Sequence, residues 1–297
     1  MQRKIQYTYR GHSADIAEMV IFRILPNDKT TAVGPFVFLD YISRVNYKPR
    51  TPQKPDGHGA HPHRGIATFT YLIHGEFEHY DSRDHYGVVS GGGGQWMKAG
   101  NGIIHDENFS QEFQKNGGLL LGLQFWINLP SSAKKEQPDY MAVQDQDLPK
   151  IVLPDDAGVF KVVIGSYQDC TSKVKTFTKQ FLYHITLKSG KSYTLPTENE
   201  AEYAAFLPNG NSKINDSELM EGELAVFDQQ GAEIILTNNS IADADILIFG
   251  GEHYNEPIVS YGPFVMNSKE EIREAYNDFY DGKYGVVTHS KRKNGEA

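Results

Sequence analysis

Apolar and polar residues alternate along several stretches of the first half of the chain, with the period of two that is typical of a β-strand. The clearest stretch is 119–127, where every second residue is Leu, Phe or Ile. Further strands are predicted at 18–25, 34–41, 66–73 and 76–80, and glycines at 87 and 91–94 supply turns between them. This half of the chain is therefore predicted to form an antiparallel β-domain.

A second set of short strands follows a polar segment, 130–139, which prolines flank and which is interpreted as a linker. The predicted strands are 161–164, 181–187, 203–207, 224–227, 232–237 and 245–249. Turn pairs such as Asn209-Gly210 and Gln230-Gly231 separate them. They hold one histidine, His184, and no His-x-His pair. The pattern indicates a second β-domain without a metal site, whose role is to wall the pocket or to contact a partner.

One helix is predicted, at 269–281, near the C-terminus. Ser268 followed by Glu271 has the form of a capping box, and Gly282 stands where a C-cap belongs. The apolar residues have helical spacing: Ile272, Ala275, Tyr276 and Phe279. The sequence Gly-Pro-Phe-Val occurs at 34–37 and again at 262–265, an internal repeat that supports a duplicated domain.

Composition and charge narrow the range of functions. The chain has 297 residues and a net charge of −9, a balance that disfavours sequence-independent binding to nucleic acid. The basic run Lys291-Arg292-Lys293 is interpreted as a solvated terminus. A single cysteine, Cys170, excludes an intrachain disulfide framework and suits a reducing compartment. No apolar run is long enough to cross a bilayer or to form a signal peptide, so a soluble cytoplasmic protein is expected.

Two short histidine motifs carry the candidate chemistry. Alternate residues of an extended strand share a face, so His61 pairs with His63, and His105 pairs with Glu107. Strands and turns between the pairs can fold the chain back and bring them together. Three imidazoles and one carboxylate suit Fe(II), Mn(II), Ni(II), Cu(II) or Zn(II), and no thiolate of a structural zinc site is present. The motifs therefore predict one catalytic-type metal site with open coordination positions.

The same alternation, continued from His63, predicts which side chains surround that site. It places Ala67, Phe69, Tyr71 and Ile73 on the metal-facing side, and Thr68, Thr70 and His74 on the other. An apolar, partly aromatic lining is typical of a pocket for a planar ligand. A bulge at Pro62 or Gly65 would reverse this phase. The histidines at 74, 79 and 85 are interpreted as surface residues or as residues behind the ligands.

These motifs resemble those of the cupins, and more narrowly those of the pirin family. The resemblance rests on five runs: His61–Gly65, Gln95–Gly100, Gly102–Glu107, Gly34–Asp40 and Gly262–Asn267. It implies two cupin (jelly-roll) β-barrels placed face to face, with a C-terminal α-helix. The N-terminal cupin barrel would span 1–135 and hold the metal, residues 136–150 would link the barrels, and the metal-free barrel would span 151–297 and end in the helix.

The resemblance also implies the ligand set: one metal, in first place Fe(II), with Mn, Ni, Cu, Co or Zn as alternatives, held by His61, His63, His105 and Glu107. Two positions depart from the family pattern. Ala67 replaces a common glutamate, which leaves Glu107 as the only carboxylate in the motifs and widens the pocket. Glycines at 91–94 replace a frequent Pro-Gly-Asp turn.

Pirins are associated with quercetin 2,3-dioxygenase activity, so the resemblance implies a dioxygenase that cleaves a flavonol or similar enol with O2. Glu107 would ligate the metal and act as the catalytic base. Phe69, Tyr71, Trp96 and Phe109 would line the slot for a planar aromatic substrate. The alternative is an iron-binding, redox-sensitive regulator that binds a transcription factor or a metabolic enzyme without turnover. A third possibility is another cupin activity, such as isomerisation or oxygenation of a different enol.

Overall fold

A computed structural model describes residues 1–16 and 18–289, and most of these lie in antiparallel β-strands. The basic run predicted as a solvated terminus, 291–293, lies outside the described residues. In the first half of the chain the strands are β1 (Ile5–Arg10), β2 (His12–Ile16), β3 (Met19–Leu25), β4 (Phe36–Tyr47), β5 (His61–His63), β6 (Ile66–His74), β7 (Glu76–Asp81), β8 (Tyr86–Ser90), β9 (Gly94–Lys98), β10 (Ile103–Phe109), β11 (Gly118–Asn128), β12 (Asp139–Val143) and β13 (Lys150–Val152).

The second half continues the same all-β pattern, as predicted. Its strands are β14 (Gly158–Ile164), β15 (Ser166–Tyr167), β16 (Cys170–Thr171), β17 (Gln180–Leu187), β18 (Ser192–Pro196), β19 (Ala201–Asn209), β20 (Ser212–Ile214), β21 (Ser217–Leu219), β22 (Glu223–Phe227), β23 (Glu233–Thr237), β24 (Ala244–Glu252), β25 (Val259–Tyr261) and β26 (Phe264–Met266). The described helices are α1 (Gln111–Asn116), α2 (Lys269–Tyr280) and short 3₁₀ turns at Asp145–Asp147 and Pro154–Asp156. None of them is long and apolar enough to cross a lipid bilayer.

The strands gather into two compact units that are not contiguous in sequence. One, here called the histidine unit, comprises residues 44–145 and 255–289. The other, here called the tyrosine unit, comprises residues 1–43 and 146–254. The tyrosine unit thus includes the N-terminal segment, and the histidine unit includes the C-terminal segment. This grouping differs from the contiguous domains predicted at 1–135 and 151–297. The sequence-domain bounds themselves stay a prediction.

The histidine unit is built from two antiparallel sets of strands. One set has the order β5-β10-β7-β8, and the other runs β12-β9-β6-β11. Strand β12 pairs with β9 from Asp139↔Lys98 to Val143↔Gly94, so residues 139–143 belong to a sheet although the sequence places them in the linker region. The fully buried Lys134 precedes that strand. This unit's strands carry every residue of the two histidine motifs.

The tyrosine unit has a larger sheet, with the order β1-β22-β19-β24-β17-β14-β13, and a smaller one, β18-β23-β20-β21. The first strand of the chain, β1, pairs with β22, from Ile5↔Phe227 to Arg10↔Glu223. Inward-facing residues of both sheets form one core, in which Phe160, Ile185 and Ile246 are completely buried. These two sheets and their common core confirm the second β-domain predicted from the sequence.

Helix α2 confirms the prediction at 269–281 and shows how its ends are fixed. Ser268 Oγ accepts a hydrogen bond from the Glu271 backbone N–H at 3.2 Å, while the Glu271 carboxylate accepts from the Asn267 N–H at 2.8 Å. Gly282, just beyond the helix, has φ +74°. Ile272 and Ala275 are buried against Phe264, Met266 and Tyr284 of the same unit. The apolar stripe of the helix therefore closes one side of the histidine unit.

The repeated Gly-Pro-Phe-Val sequence adopts the same backbone turn in both places. Gly34 has φ +53° and Gly262 has φ +55°, values that a residue with a side chain rarely adopts. In each case the glycine and proline come directly before a strand. This is the long strand β4 after Gly34 and the short strand β26 after Gly262. The repeat is thus present in the backbone conformation as well as in the sequence, which supports the duplication predicted from the sequence.

Candidate metal centre

Two neighbouring strands bring the three predicted histidine ligands together. Strand β5 pairs antiparallel with β10, so that His61 lies opposite His105 and His63 lies opposite Ile103. The ring centroids are 4.5 Å apart for His61 and His105, 4.8 Å for His61 and His63, and 5.0 Å for His63 and His105. One nitrogen of each ring lies within 4.8 Å of the others. Three imidazoles therefore converge on one point, as the sequence predicts.

Backbone carbonyls orient two of these rings. The His61 Nδ1–H donates to the Gly59 carbonyl at 2.8 Å, and the His63 Nδ1–H donates to the Pro263 carbonyl at 3.1 Å. A proton held on Nδ1 leaves Nε2 with a free lone pair, which is the arrangement of a metal-bound histidine. The His105 Nδ1 is buried and has no hydrogen-bond partner. Its Nε2 lies 3.0 Å from His61 Nε2.

Burial keeps the inner histidines in the neutral form that binds metal. His63 and His105 are each about 1% exposed. Burial lowers the pKa of both imidazoles well below their usual range, and the neighbouring rings lower the pKa further. Two donors about 2.1 Å from one ion, at a right angle, would lie about 3.0 Å apart, which matches the spacing between the His61 and His105 nitrogens. The residues therefore fit a divalent ion.

Glu107 stands beside this cluster but outside its three converging nitrogens. It shares the face of β10 with His105, lies opposite His79 on β7, and is half-buried. The Thr70 hydroxyl donates to Glu107 Oε1 at 2.6 Å, and the Gln95 amide donates to the same oxygen. The second oxygen, Oε2, has no hydrogen-bond partner within the described chain. The carboxylate is held in place by one oxygen and is available through the other.

The contact with Thr70 corrects the predicted phase of β6. Thr70 bonds Glu107, although the alternation placed Thr70 on the side away from the metal. Gly65, with φ +81°, separates β5 from β6 and breaks the alternation there. A Cβ at Gly65 would lie 2.0 Å from the Val265 carbonyl oxygen, so the close approach of β26 requires glycine. The sequence analysis allowed for a reversal at Gly65, which lies between the end of β5 and the start of β6.

The reversal changes the surroundings predicted for the site. Phe69 and Tyr71 alternate with Thr70 and lie on the opposite face of β6, and Trp96 pairs with Phe69 across the sheet. All three are completely buried core residues. Their predicted role in lining the substrate slot therefore loses its geometric basis. Ala67 alternates onto the same core face, so its small side chain does not widen a pocket beside the histidines.

Phe109, the fourth predicted slot residue, lies on the same face of β10 as His105 and Glu107 and is half-buried. Its ring packs against Tyr47 at 4.9 Å and Phe77 at 5.6 Å between centroids. Sequence reasoning missed Trp126, whose ring lies 4.9 Å from His63 on the face of β11 that carries Gln124. The alternation along β11 contained this signal, since Trp126 shares parity with the polar Gln124.

A second group of polar residues lies behind the cluster. The buried His79 is 5.5 Å from His105 between ring centroids and stacks on Tyr140 at 4.1 Å. His79 Nε2 donates to Asp81 Oδ2 at 3.1 Å, and His85 Nδ1 donates to the same oxygen at 2.8 Å. Burial alone would raise the pKa of Asp81, but these two hydrogen bonds outweigh it and hold that pKa well below its usual range. The charged Asp81 thus holds the ring of His79 in one orientation, and His79 lies behind the ligand cluster, which is one of the two positions expected for it from the sequence.

Comparisons with known proteins agree on one family. The family model of pirin matches residues 18–127, and the model of the pirin C-terminal cupin domain matches residues 182–285. A Pseudomonas aeruginosa protein named "Putative quercetin 2,3-dioxygenase" is 37% identical over 252 residues, which are 85% of this chain and 87% of that protein. A pirin-like protein of Solanum lycopersicum is 32% identical and covers 90% of this chain and 87% of its own length.

Solved structures give the same result. A crystal structure of quercetin 2,3-dioxygenase from Acinetobacter baumannii superposes with a TM-score of 0.89 at 34% identity, covering 96% of this chain and 99% of that one. The Escherichia coli pirin YhhW, solved in complex with nickel(II), superposes with a TM-score of 0.60 at 20% identity, covering 84% and 99% of the two chains. At that identity the second likeness concerns the fold alone.

Proposed function

Because this chain belongs to the pirin family, with two cupin domains and a C-terminal helix, we propose that it is a metal-dependent dioxygenase of the quercetin 2,3-dioxygenase type. It would cleave a flavonol, or a similar planar enol, with O2. The observation that carries the proposal is the convergence of three imidazoles, two of them oriented by backbone carbonyls, in a chain whose relatives bear that enzyme's name.

We propose that His61, His63 and His105 hold the ion, with Glu107 as the fourth ligand through Oε2. Imidazole and carboxylate donors suit Fe(II), Mn, Ni, Cu, Co and Zn, and the pirin resemblance puts Fe(II) first. When bound, such an ion supplies a Lewis acid with free positions for substrate and O2.

Glu107 is the residue best placed to act as the base. The flavonol hydroxyl must lose a proton before the ring becomes electron-rich enough to react with O2. Glu107 Oε1 is anchored by Thr70 and Gln95, so the carboxylate is oriented and Oε2 can accept that proton. Gln95 is itself held by the Tyr140 hydroxyl, which donates to its Oε1 at 3.2 Å. This buried chain of hydrogen bonds would keep the carboxylate in one position during the reaction.

The substrate slot needs different residues from those predicted by alternation alone. We propose that Trp126 and Phe109 flank the planar ring system, since both are half-buried and share the face of the ligands. Phe69, Tyr71 and Trp96 would support the sheet from its other side. Aromatic walls with a few oriented polar groups are typical of sites for planar ligands.

Metal reconstitution followed by a turnover assay tests the proposal. The apoprotein would be loaded anaerobically with Fe(II), Mn(II) or Ni(II), and its metal content measured by elemental analysis. Addition of quercetin in air should then give O2 consumption and carbon monoxide release in equal amounts. A chain that holds about one metal but consumes no O2 with any flavonol would contradict the dioxygenase and favour the regulatory alternative, in which the metal serves a contact with a protein partner.

A further inference from the structure

A separate cavity of the histidine unit is lined by positive charge. It has a volume of about 270 Å³ and does not include any of the three clustered histidines. Its cationic walls are Arg64, Arg83, Lys135 and Lys283, and Asp278 is the one carboxylate that lines it. Ligand pockets usually occupy about 300–1,000 Å³, so this cavity suits a small ligand. Four cations around one carboxylate point to an anion.

The ion pairs around the cavity leave part of this charge uncompensated. Arg64 pairs with Asp278 at 2.6 Å and with Glu274 at 2.8 Å. Lys283 pairs with Asp278 at 2.5 Å and with Asp281 at 3.4 Å.

The remaining two cations have no acidic partner within the described residues. Arg83 donates to the Gly102 carbonyl at 3.3 Å, and Lys135 is exposed. A guanidinium and an ammonium in this position are suited to carboxylate or phosphate oxygens.

Two residues that line the cavity, Arg64 and Asn101, each have a buried polar atom without a hydrogen-bond partner. Arg64 is about 5% exposed, and its Nε has no acceptor although both terminal nitrogens are bonded. The Oδ1 of Asn101 has no donor. Buried polar groups are nearly always paired, so each of these atoms marks a position that a ligand or water would fill. One atom is a donor and the other an acceptor, so a ligand with both an anionic oxygen and a hydroxyl group would satisfy both.

We propose that this cavity binds a small, doubly charged oxyanion that carries a hydroxyl group, of the hydrogen phosphate or hydroxydicarboxylate type. Arg83, Lys135 and Arg64 Nε bind the anionic oxygens, and Asn101 Oδ1 accepts from the hydroxyl. Two of its residues are neighbours in sequence of the predicted metal ligands, since Arg64 follows His63 directly and Asn101 comes just before β10, which carries His105. It is a binding site in addition to the proposed dioxygenase site and does not depend on that activity.

Calorimetric titration of the full chain with three probes tests the assignment. Phosphate and malate both carry a hydroxyl group, while succinate has the same charge as malate without one. At a constant ionic strength of about 0.15 M, phosphate or malate should bind to one site, and succinate should bind about tenfold more weakly than malate because Asn101 Oδ1 stays unpaired. Succinate binding as tightly as malate would overturn the role of Asn101, and absence of heat with all three probes would overturn the site.

A matched pair of double variants separates a built site from general charge. Arg83→Gln with Lys135→Ala removes two positive charges from the cavity, while Arg273→Gln with Lys115→Ala removes two from exposed positions of the same unit. The first should weaken binding by about tenfold or more, and the second should change it by less than about twofold. Equal losses in both would overturn the proposal. Arg64 is left intact because its ion pairs hold helix α2, and thermal unfolding of each variant confirms folding.

Discussion

The histidine unit and the tyrosine unit share a fold but differ in what fills the space between their sheets. In the histidine unit, short paired strands carry three imidazoles to one point. In the tyrosine unit, an aromatic cluster occupies the interior: Phe160 stacks on Tyr167 at 4.3 Å, and Phe181 stacks on Tyr183 at 5.0 Å. The comparison teaches that the cupin scaffold does not itself provide a metal site.

The titratable groups of the two units also behave differently. Burial raises the pKa of Tyr183 and Tyr193, so these phenols stay neutral and act as core residues with a polar tip. His184, the one histidine of the predicted strands, donates to Asp245 at 2.9 Å. Within the described residues the only group of three possible ligands is His61, His63 and His105.

Removing two imidazoles should abolish metal binding. The double substitution His63→Ala with His105→Ala leaves one histidine of the cluster, and the metal content should fall from about one per chain to below about 0.1. Elemental analysis after reconstitution and desalting measures this. His184→Ala in the tyrosine unit is the control and should keep the full content. Two metals per chain in the parent, or full occupancy in the double variant, would contradict the comparison.

Glu107→Gln should separate metal binding from catalysis. The amide keeps the shape and an oxygen donor but loses the charge and the basicity, so flavonol turnover per bound metal should fall by about 10²- to 10⁴-fold. Turnover and metal content are measured in the same samples. Glu112→Gln, an exposed change on helix α1, is the matched control. Turnover per metal equal to that of the parent would exclude Glu107 as the base and leave it as a ligand.

The apoprotein should lose stability as the pH falls below about 6.5. The pKa values of His63 and His105 are lowered in the folded state, so the unfolded chain binds more protons and the free energy of unfolding decreases as these groups are protonated there. For each pH unit below about 6.5, each imidazole lowers the free energy of unfolding by on the order of 1 kcal/mol at most. Denaturant unfolding of the apoprotein at several pH values measures the effect.

His85 acts in the opposite direction and must be separated from this effect. Its hydrogen bond to Asp81 raises the pKa of His85, so protonation of that ring favours the folded state as the pH falls. The variant with both His63→Ala and His105→Ala retains His85 and should show a flatter pH dependence than the parent. The same slope in both proteins would mean that the buried imidazoles do not titrate as expected.

The smallest effect is expected in the tyrosine unit. The hydroxyls of Tyr167 and Tyr193 lie 2.6 Å apart, and Tyr193→Phe removes this hydrogen bond at a cost of about 1 kcal/mol. Metal content and turnover should be unchanged. Tyr280→Phe, at an exposed position of helix α2, should change neither stability nor metal content. A loss of metal in Tyr193→Phe would show that the tyrosine unit influences the metal centre.

Local sequence patterns were sufficient to predict helix α2, most of the longer strands and the histidine cluster, but not helix α1 or the short strands. The cap at Ser268, the alternation on β11 and the paired motifs on β5 and β10 depend on neighbouring residues, which a sequence shows directly. The phase of β6 could not be predicted, because the break at Gly65 is caused by the approach of Val265, two hundred residues later. The contact between His63 and the Pro263 carbonyl also has no local signal. Packing between residues far apart in sequence determines both the phase of β6 and the orientation of the His63 ring.

The interleaving of the two units sets the order in which they can be completed during synthesis. His63 is made early, but the carbonyl that orients it belongs to Pro263, which the ribosome adds about 10–40 s later at typical elongation rates. Strand β1 likewise waits for its partner β22. The nascent histidine strands must therefore remain incomplete while the tyrosine unit is made, and the histidine unit is completed only after residue 254, when the tyrosine unit already has all its strands.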